Sequence, residues 1–157
     1  MFNLLLPSRV DNIFRGHKVG LVLFCLLVFL KVTMSLRSII SGYSVATGDG
    51  IALDTFPAFA AQAYVSLFAL FGLSQFMLSL LCILALVRYR AFIPLMFALL
   101  LFEFLGRRLI IQFMPFERMD TSAPTIINLV LLALMLVGLA LSLWSQPQPL
   151  EKTVTRD

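Results

Sequence analysis

Long runs of apolar residues, separated by short polar segments, dominate the pattern of the chain. Four runs stand out, at about 19–40, 61–87, 91–113 and 125–144. Each reaches the roughly 20 residues that a helix needs to cross the hydrocarbon of a bilayer. Apolar and polar positions do not alternate within them, as they do in the strands of membrane barrels. The pattern predicts an all-α integral membrane protein. We expect residues 1–157 to form one membrane domain, a four-transmembrane-helix bundle with up-down-up-down topology.

The amino-acid composition excludes several other classes of protein. Hydrophobic residues make up 61% of the 157 positions, and charged residues 13%. Soluble domains carry roughly 25% charged residues, and a small one has too little interior to hide so much apolar surface. The composition therefore excludes an ordinary soluble protein, a disordered chain and a nucleic-acid-binding domain. We expect the surface of the chain to contact the lipid bilayer, and we expect it to bind no nucleic acid.

Basic residues outside the runs predict the orientation. Seven of the twelve lie in the two tails, 1–18 and 145–157, or in the short second loop, namely Arg9, Arg15, Lys18, Arg88, Arg90, Lys152 and Arg156. Only Arg118 lies clearly in a loop on the other side. Because cytoplasmic loops carry the excess of Lys and Arg, we expect both termini in the cytoplasm. The first loop, of about seventeen residues, then faces outward, and Asp49 and Asp54 are expected to be solvated turn residues in it.

Five charged residues interrupt the apolar runs: Lys31 and Arg37 in the first, and Glu103, Arg107 and Arg108 in the third. Arg37 projects near the outer interface, which leaves the other four as candidates for charges within the bilayer. Each costs about 2.5–3.5 kcal/mol at the centre of a membrane helix, so such residues mark a pairing or a function. Lys31 and Glu103 each lie twelve residues into a run that leads outward. At 1.5 Å per residue both are roughly 18 Å from the cytoplasmic edge, so they can meet.

The helical positions of the neighbouring polar residues extend this pair. Arg107 is four residues after Glu103 and shares its face, whereas Arg108 points elsewhere on the helix. Ser35 lies one turn after Lys31. We predict a charged cluster of Lys31, Glu103 and Arg107 in the outer half of the bundle, with Ser35 nearby and Arg108 as a further candidate.

Three interpretations of this cluster remain open. It is a buried ion pair that fixes helix packing, or a site for an anion or lipid headgroup, because cations outnumber the single acid. The third is a proton-coupled role for Glu103 alone.

A second polar motif lies in the second apolar run. Gly72, Gln75 and Ser79 are spaced along one face of this run and predict a close helix contact with interhelical hydrogen bonds.

Little in the sequence indicates catalysis. There is one histidine, His17, and the two cysteines, Cys25 and Cys82, lie inside apolar runs. We predict no cofactor, no metal site and no catalytic residue. The sequence therefore favours a protein that is not an enzyme, without excluding one. A Cys25–Cys82 pair is conceivable from their similar depths, but buried thiols acting as small apolar groups are favoured.

Three segments carry a resemblance to other proteins: NIFRGH at 12–17, DGIALDTF at 49–56, and LVRYR through EFLGRR at 86–108. They resemble an uncharacterised group of small four-span bacterial membrane proteins. The resemblance implies a bacterial inner membrane and transfers no function or site residue. Because the sequence shows no catalytic machinery, we predict a structural or accessory subunit with a membrane-protein partner or a second copy of itself. The alternative is a transport or lipid- or anion-binding protein that uses the charged cluster.

Overall fold

All regular structure in the described part of the chain is helical. The computed structural model describes residues 12, 14, 16–114 and 122–144, the last range with side chains from 125 onward. Within these residues the helices are α1 (Lys18–Ile40), α2 (Gly42–Gly48), α3 (Ala58–Arg88), α4 (Ile93–Phe113) and α5 (Ser122–Leu143), with 3-10 turns at Leu53–Thr55 and Arg90–Phe92. The predicted all-α class is confirmed.

Within the described residues, three helices are long and apolar enough to cross a membrane: α1, α3 and the Thr125–Leu143 part of α5. Helix α4 has 21 residues, which is long enough, but it carries Glu103, Arg107 and Arg108. Helix α4 differs from the other long helices in carrying these three charged residues, and for this reason it does not meet the same criterion of apolar character. The number of membrane spans and their direction remain predictions.

Helix α1 lies at the centre of the packing. It packs most extensively against α3 and then against α5, whereas α4 packs mainly against α5 and only sparingly against α3. The rings of Phe24 on α1 and Phe97 on α4 meet edge to face at 5.0 Å, and both are fully buried. Around them lie buried apolar side chains from all four long helices, namely Leu27, Val28, Cys82, Ile93, Leu100, Phe104, Leu131 and Met135.

The outward faces of the long helices are apolar as well. Phe29 on α1 is 67% exposed and Phe102 on α4 is 76% exposed, and many leucines and isoleucines share this condition. Contiguous apolar surface on this scale is unfavourable in water and favourable against lipid. The exposed faces therefore agree with a chain surrounded by hydrocarbon.

The segment expected to be a simple outer loop is folded. We call residues 42–56, which contain α2 and the first 3-10 turn, the cap. Ala46, Ile51 and Leu53 of the cap are buried against Tyr64 and Val65 of α3. The chain reverses direction after α2 at Gly50, whose φ is 87°. Residues other than glycine rarely adopt this backbone conformation. The cap lies over one end of the assembly, at the beginning of α3.

Candidate functional site

Three helices meet at a closed ring of hydrogen bonds. The Lys31 ammonium on α1 donates to Oε2 of Glu103 on α4 and to Oε1 of Gln75 on α3, each at 3.0 Å. The Gln75 amide in turn donates from Nε2 to Oε1 of Glu103 at 2.9 Å. Lys31 is only 5% exposed. Every pair among the three side chains is therefore joined, and a single buried point connects α1, α3 and α4.

Register and a glycine together bring Gln75 to this point. Lys31 lies thirteen residues after Lys18, where α1 begins, and Gln75 lies thirteen residues before Arg88, where α3 ends. Both are therefore about 20 Å along their helices from the same end. At Gly72, one turn from Gln75, a Cβ atom would lie 2.8 Å from the Cβ of Ser38. Only a residue without a side chain allows α1 and α3 to approach this closely.

Arg107 extends the ring toward the surface. Its Nε lies 2.8 Å from Oε1 of Glu103, an ion pair one helical turn apart. The Nε hydrogen is not aligned with any acceptor in the described residues, so the contact is an ion pair rather than a directed hydrogen bond. The guanidinium also lies over the Phe71 ring at 5.2 Å from its centroid. Glu103 is thus held between two cations, and the cluster of Lys31, Gln75, Glu103 and Arg107, which we call the polar cluster, has a formal charge of +1.

The structure brings together three of the five candidates from the sequence, Lys31, Glu103 and Arg107. Ser35 is buried nearby, but its hydroxyl donates to the backbone carbonyl of Lys31 at 2.8 Å and does not join the ring. Arg108 is exposed, with its guanidinium over the Phe104 ring at 5.8 Å, and has no ion pair within the described residues. Helix direction explains this outcome, because Arg108 lies about 100° around α4 from Arg107.

Gln75 belongs to the polar cluster, although the charge pattern omitted it. Its neutral side chain gave no electrostatic signal, but its spacing from Gly72 had predicted a close contact with interhelical hydrogen bonds. Both features are present for Gly72 and Gln75. Ser79 does not take part, because its hydroxyl donates to the backbone carbonyl of Gln75 in the same helix.

The two cysteines are separate. Cys82 is buried and Cys25 is exposed, and both are free thiols. A Cys25–Cys82 pair is therefore not present. Among the described residues, no three histidine, cysteine, aspartate or glutamate side chains lie together in a way that suits a metal ion.

A pocket of about 280 Å³ opens beside the polar cluster, where the cap, α3 and α4 meet. Its lining consists of Asp49, Ile51, Tyr64, Phe68, Phe71, Arg107, Ile110 and Ile111. Arg107 therefore belongs both to the pocket and to the polar cluster. Asp49, expected to be a solvated turn residue, is half-buried in this wall and has further interactions within the chain, as does Tyr64. No pattern in the sequence indicates this position for Asp49, because Asp49 and Arg107 are 58 positions apart.

No family model, curated protein or solved structure matches this chain. The resemblance of the segments at 12–17, 49–56 and 86–108 to small bacterial membrane proteins therefore stays a prediction. The polar cluster and the pocket are the two features of the structure that bear on function.

Proposed function

We propose that the chain is a small polytopic membrane protein of the structural or accessory class, in which the polar cluster fixes the packing of three helices. The closed ring among Lys31, Gln75 and Glu103 carries this proposal. Both carboxylate oxygens of Glu103 accept hydrogen bonds from within the ring. Polar groups that satisfy one another across helices stabilise packing in lipid, where the hydrophobic effect no longer drives helices together.

The same ring supports four membrane spans. Glu103 contacts Lys31 and Gln75 near the middle of α1 and α3, so α4 lies beside them at a similar depth. Its charge is compensated by Lys31 and Arg107, which reduces the cost of placing α4 in hydrocarbon. The bundle then runs up-down-up-down, with Lys18, Arg88 and Arg90 on the cytoplasmic side. The resemblance to small bacterial proteins favours the bacterial inner membrane.

Reporter fusions distinguish four spans from three. With four spans, a fluorescent protein fused after Asp157 should fold in the cytoplasm and fluoresce, because both termini lie there. Alkaline phosphatase inserted after Asp54 should be active, because the cap faces outward. If α4 does not cross, the carboxyl-terminal reporter changes sides. The four-span proposal would be contradicted if the fluorescent protein after Asp157 stayed dark while alkaline phosphatase was active both after Asp54 and after Asp157.

The accessory role predicts a stable complex in the native membrane. After mild crosslinking in membranes, we expect the tagged full chain to be recovered at a fixed ratio with one other membrane protein or with a second, differently tagged copy. The ratio should persist through size-exclusion chromatography. An equally expressed, unrelated small membrane protein with the same tag is the control. Recovery of the chain only as a monomer at native expression level would contradict an accessory role.

A second function is supported by the pocket. Arg107 lines it and is 35% exposed in its side chain, so part of the guanidinium is available to a ligand. Lipid or anion binding, or transport of such a ligand, therefore remains the alternative to a purely structural role.

A further inference from the structure

Arg108 is a cation on the outward side of α4 that the polar cluster does not use. Its side chain is exposed and makes no ion pair within the described residues. Beside it on the same helix, Leu105 is 46% exposed and Leu109 is 55% exposed. The guanidinium lies over the ring of Phe104, one turn earlier in α4, at 5.8 Å from the ring centroid. A positive charge therefore lies at an apolar surface without a carboxylate from the described part of the chain.

The position of Arg108 along α4 places this charge inside the proposed span. Arg108 lies five residues before Phe113, where α4 ends, and Phe104 lies nine residues before it. At 1.5 Å per residue these positions are about 8 Å and about 14 Å from that end of the helix. The side chain of Arg108 is directed toward the turn of Phe104, as helical side chains generally are. The guanidinium is thus directed away from the nearer headgroups, so its charge calls for a counterion within the apolar layer.

A second copy of the chain does not provide that counterion. Among the residues of the four apolar runs, Glu103 is the only acid. Glu103 is already paired with Lys31 at 3.0 Å and with Arg107 at 2.8 Å. A second copy would present the same Glu103, paired in the same way. A carboxylate at the depth of Arg108 therefore has to come from a different protein.

We propose that Leu105, Arg108 and Leu109, which we call the Arg108 face, bind a transmembrane helix of a different membrane protein that presents an aspartate or glutamate at the depth of Arg108. The ion pair offsets the cost of the charge in the bilayer, and the two leucines supply apolar packing beside it. A lipid phosphate fits less well, because phosphates lie at the headgroup level. The inference rests on the accessory role and the four spans proposed above, and it names the class of partner.

Model helices that differ at one position test this assignment. The full chain is reconstituted in phosphatidylcholine vesicles with single-span polyleucine peptides that carry one glutamate or one glutamine about 8 Å from one end. Energy transfer between fluorescent labels measures their association. We expect about tenfold tighter association of the glutamate peptide, near the upper end for polar contacts between membrane helices. Arg108→Gln should abolish this preference. The matched control Arg37→Gln, which removes an exposed arginine from α1, should retain it.

Charge exchange provides a second test of the same pair. Arg108→Glu should reverse the preference, so that a peptide with lysine in place of glutamate associates more tightly than the glutamate peptide. Equal association of the glutamate and glutamine peptides with the unaltered chain overturns the proposal. Removal of the preference by phosphatidylglycerol in the vesicles also overturns it, in favour of a lipid phosphate.

Two further outcomes separate this proposal from the accessory role. If Arg108→Gln makes the purified chain unfold more readily in detergent, Arg108 has a partner within the chain, and the proposal is overturned. If the crosslinked native complex is recovered at the same ratio with Arg108→Gln, the accessory role stands and only the assignment of the Arg108 face fails. If no native complex is recovered even from the unaltered chain, the accessory role fails as well.

Discussion

Glu103→Gln should destabilise the protein more than any other single change in the polar cluster. It leaves Lys31 charged, 5% exposed and without a carboxylate, and it removes the ion-pair partner of Arg107. Breaking a buried pair by removing one partner costs about 3–5 kcal/mol. We expect a loss of free energy of unfolding near the lower end of that range, because Arg107 is partly exposed. Unfolding by denaturing detergent in mixed micelles measures it.

The control and the double variant make this prediction specific. Arg108→Gln removes a charge from the same helix, but from an exposed side chain, and should change stability by less than about 0.5 kcal/mol. Lys31→Met combined with Glu103→Gln should be more stable than Glu103→Gln alone, because no unpaired charge then remains at the centre of the ring. Additive losses from the two changes would show that Lys31 and Glu103 do not act as a pair.

The double variant also separates packing from binding. If the ring only fixes helix packing, a folded double variant should retain whatever phenotype the unaltered chain confers in cells. A folded double variant that loses the phenotype would contradict the packing-only interpretation. It would then favour a ligand at the polar cluster or a proton-coupled role for Glu103.

Gly72→Ala should also destabilise the protein, by about 1–3 kcal/mol, the usual cost of overpacking. The new methyl group would lie 2.8 Å from the Cβ of Ser38 and 3.2 Å from the carbonyl oxygen of Ser35. These atoms are fixed to α1, so the two helices must separate. Separation pulls Gln75, one turn away, from Lys31 and Glu103. The free energy of unfolding should fall even though alanine favours a helix by about 1 kcal/mol over glycine.

Gly106→Ala is the matched control for that change. Gly106 lies inside α4, and a Cβ there meets no atom within 4 Å. Only the gain in helix propensity remains, so we expect unchanged or higher stability. Ser38→Gly in the Gly72→Ala background should recover part of the loss by removing the atom that the methyl group meets. Equal effects of the two alanine substitutions would contradict the close approach of α1 and α3.

The sequence alone was sufficient for the helical class, the apolar character of three long helices, and the proximity of Lys31 and Glu103. These follow from short-range rules: an apolar run of about 20 residues favours a helix in lipid, and equal rise per residue places two charges at one depth. Arg107 followed from its position one turn after Glu103. For the same reason the sequence separated Arg108 from the face of Glu103.

The neutral group that completes the ring and the surroundings of Arg107 depend on contacts between helices that are distant in the chain. Gln75 reaches Glu103 because Gly72 lets α1 and α3 approach, a relation between three helices that periodicity does not encode. The cap was expected to be an outward-facing loop, and the helix α2 within it has only seven residues. Its folding brings Asp49 into the wall that Arg107 also lines, so the pocket depends on contacts between residues distant in the chain.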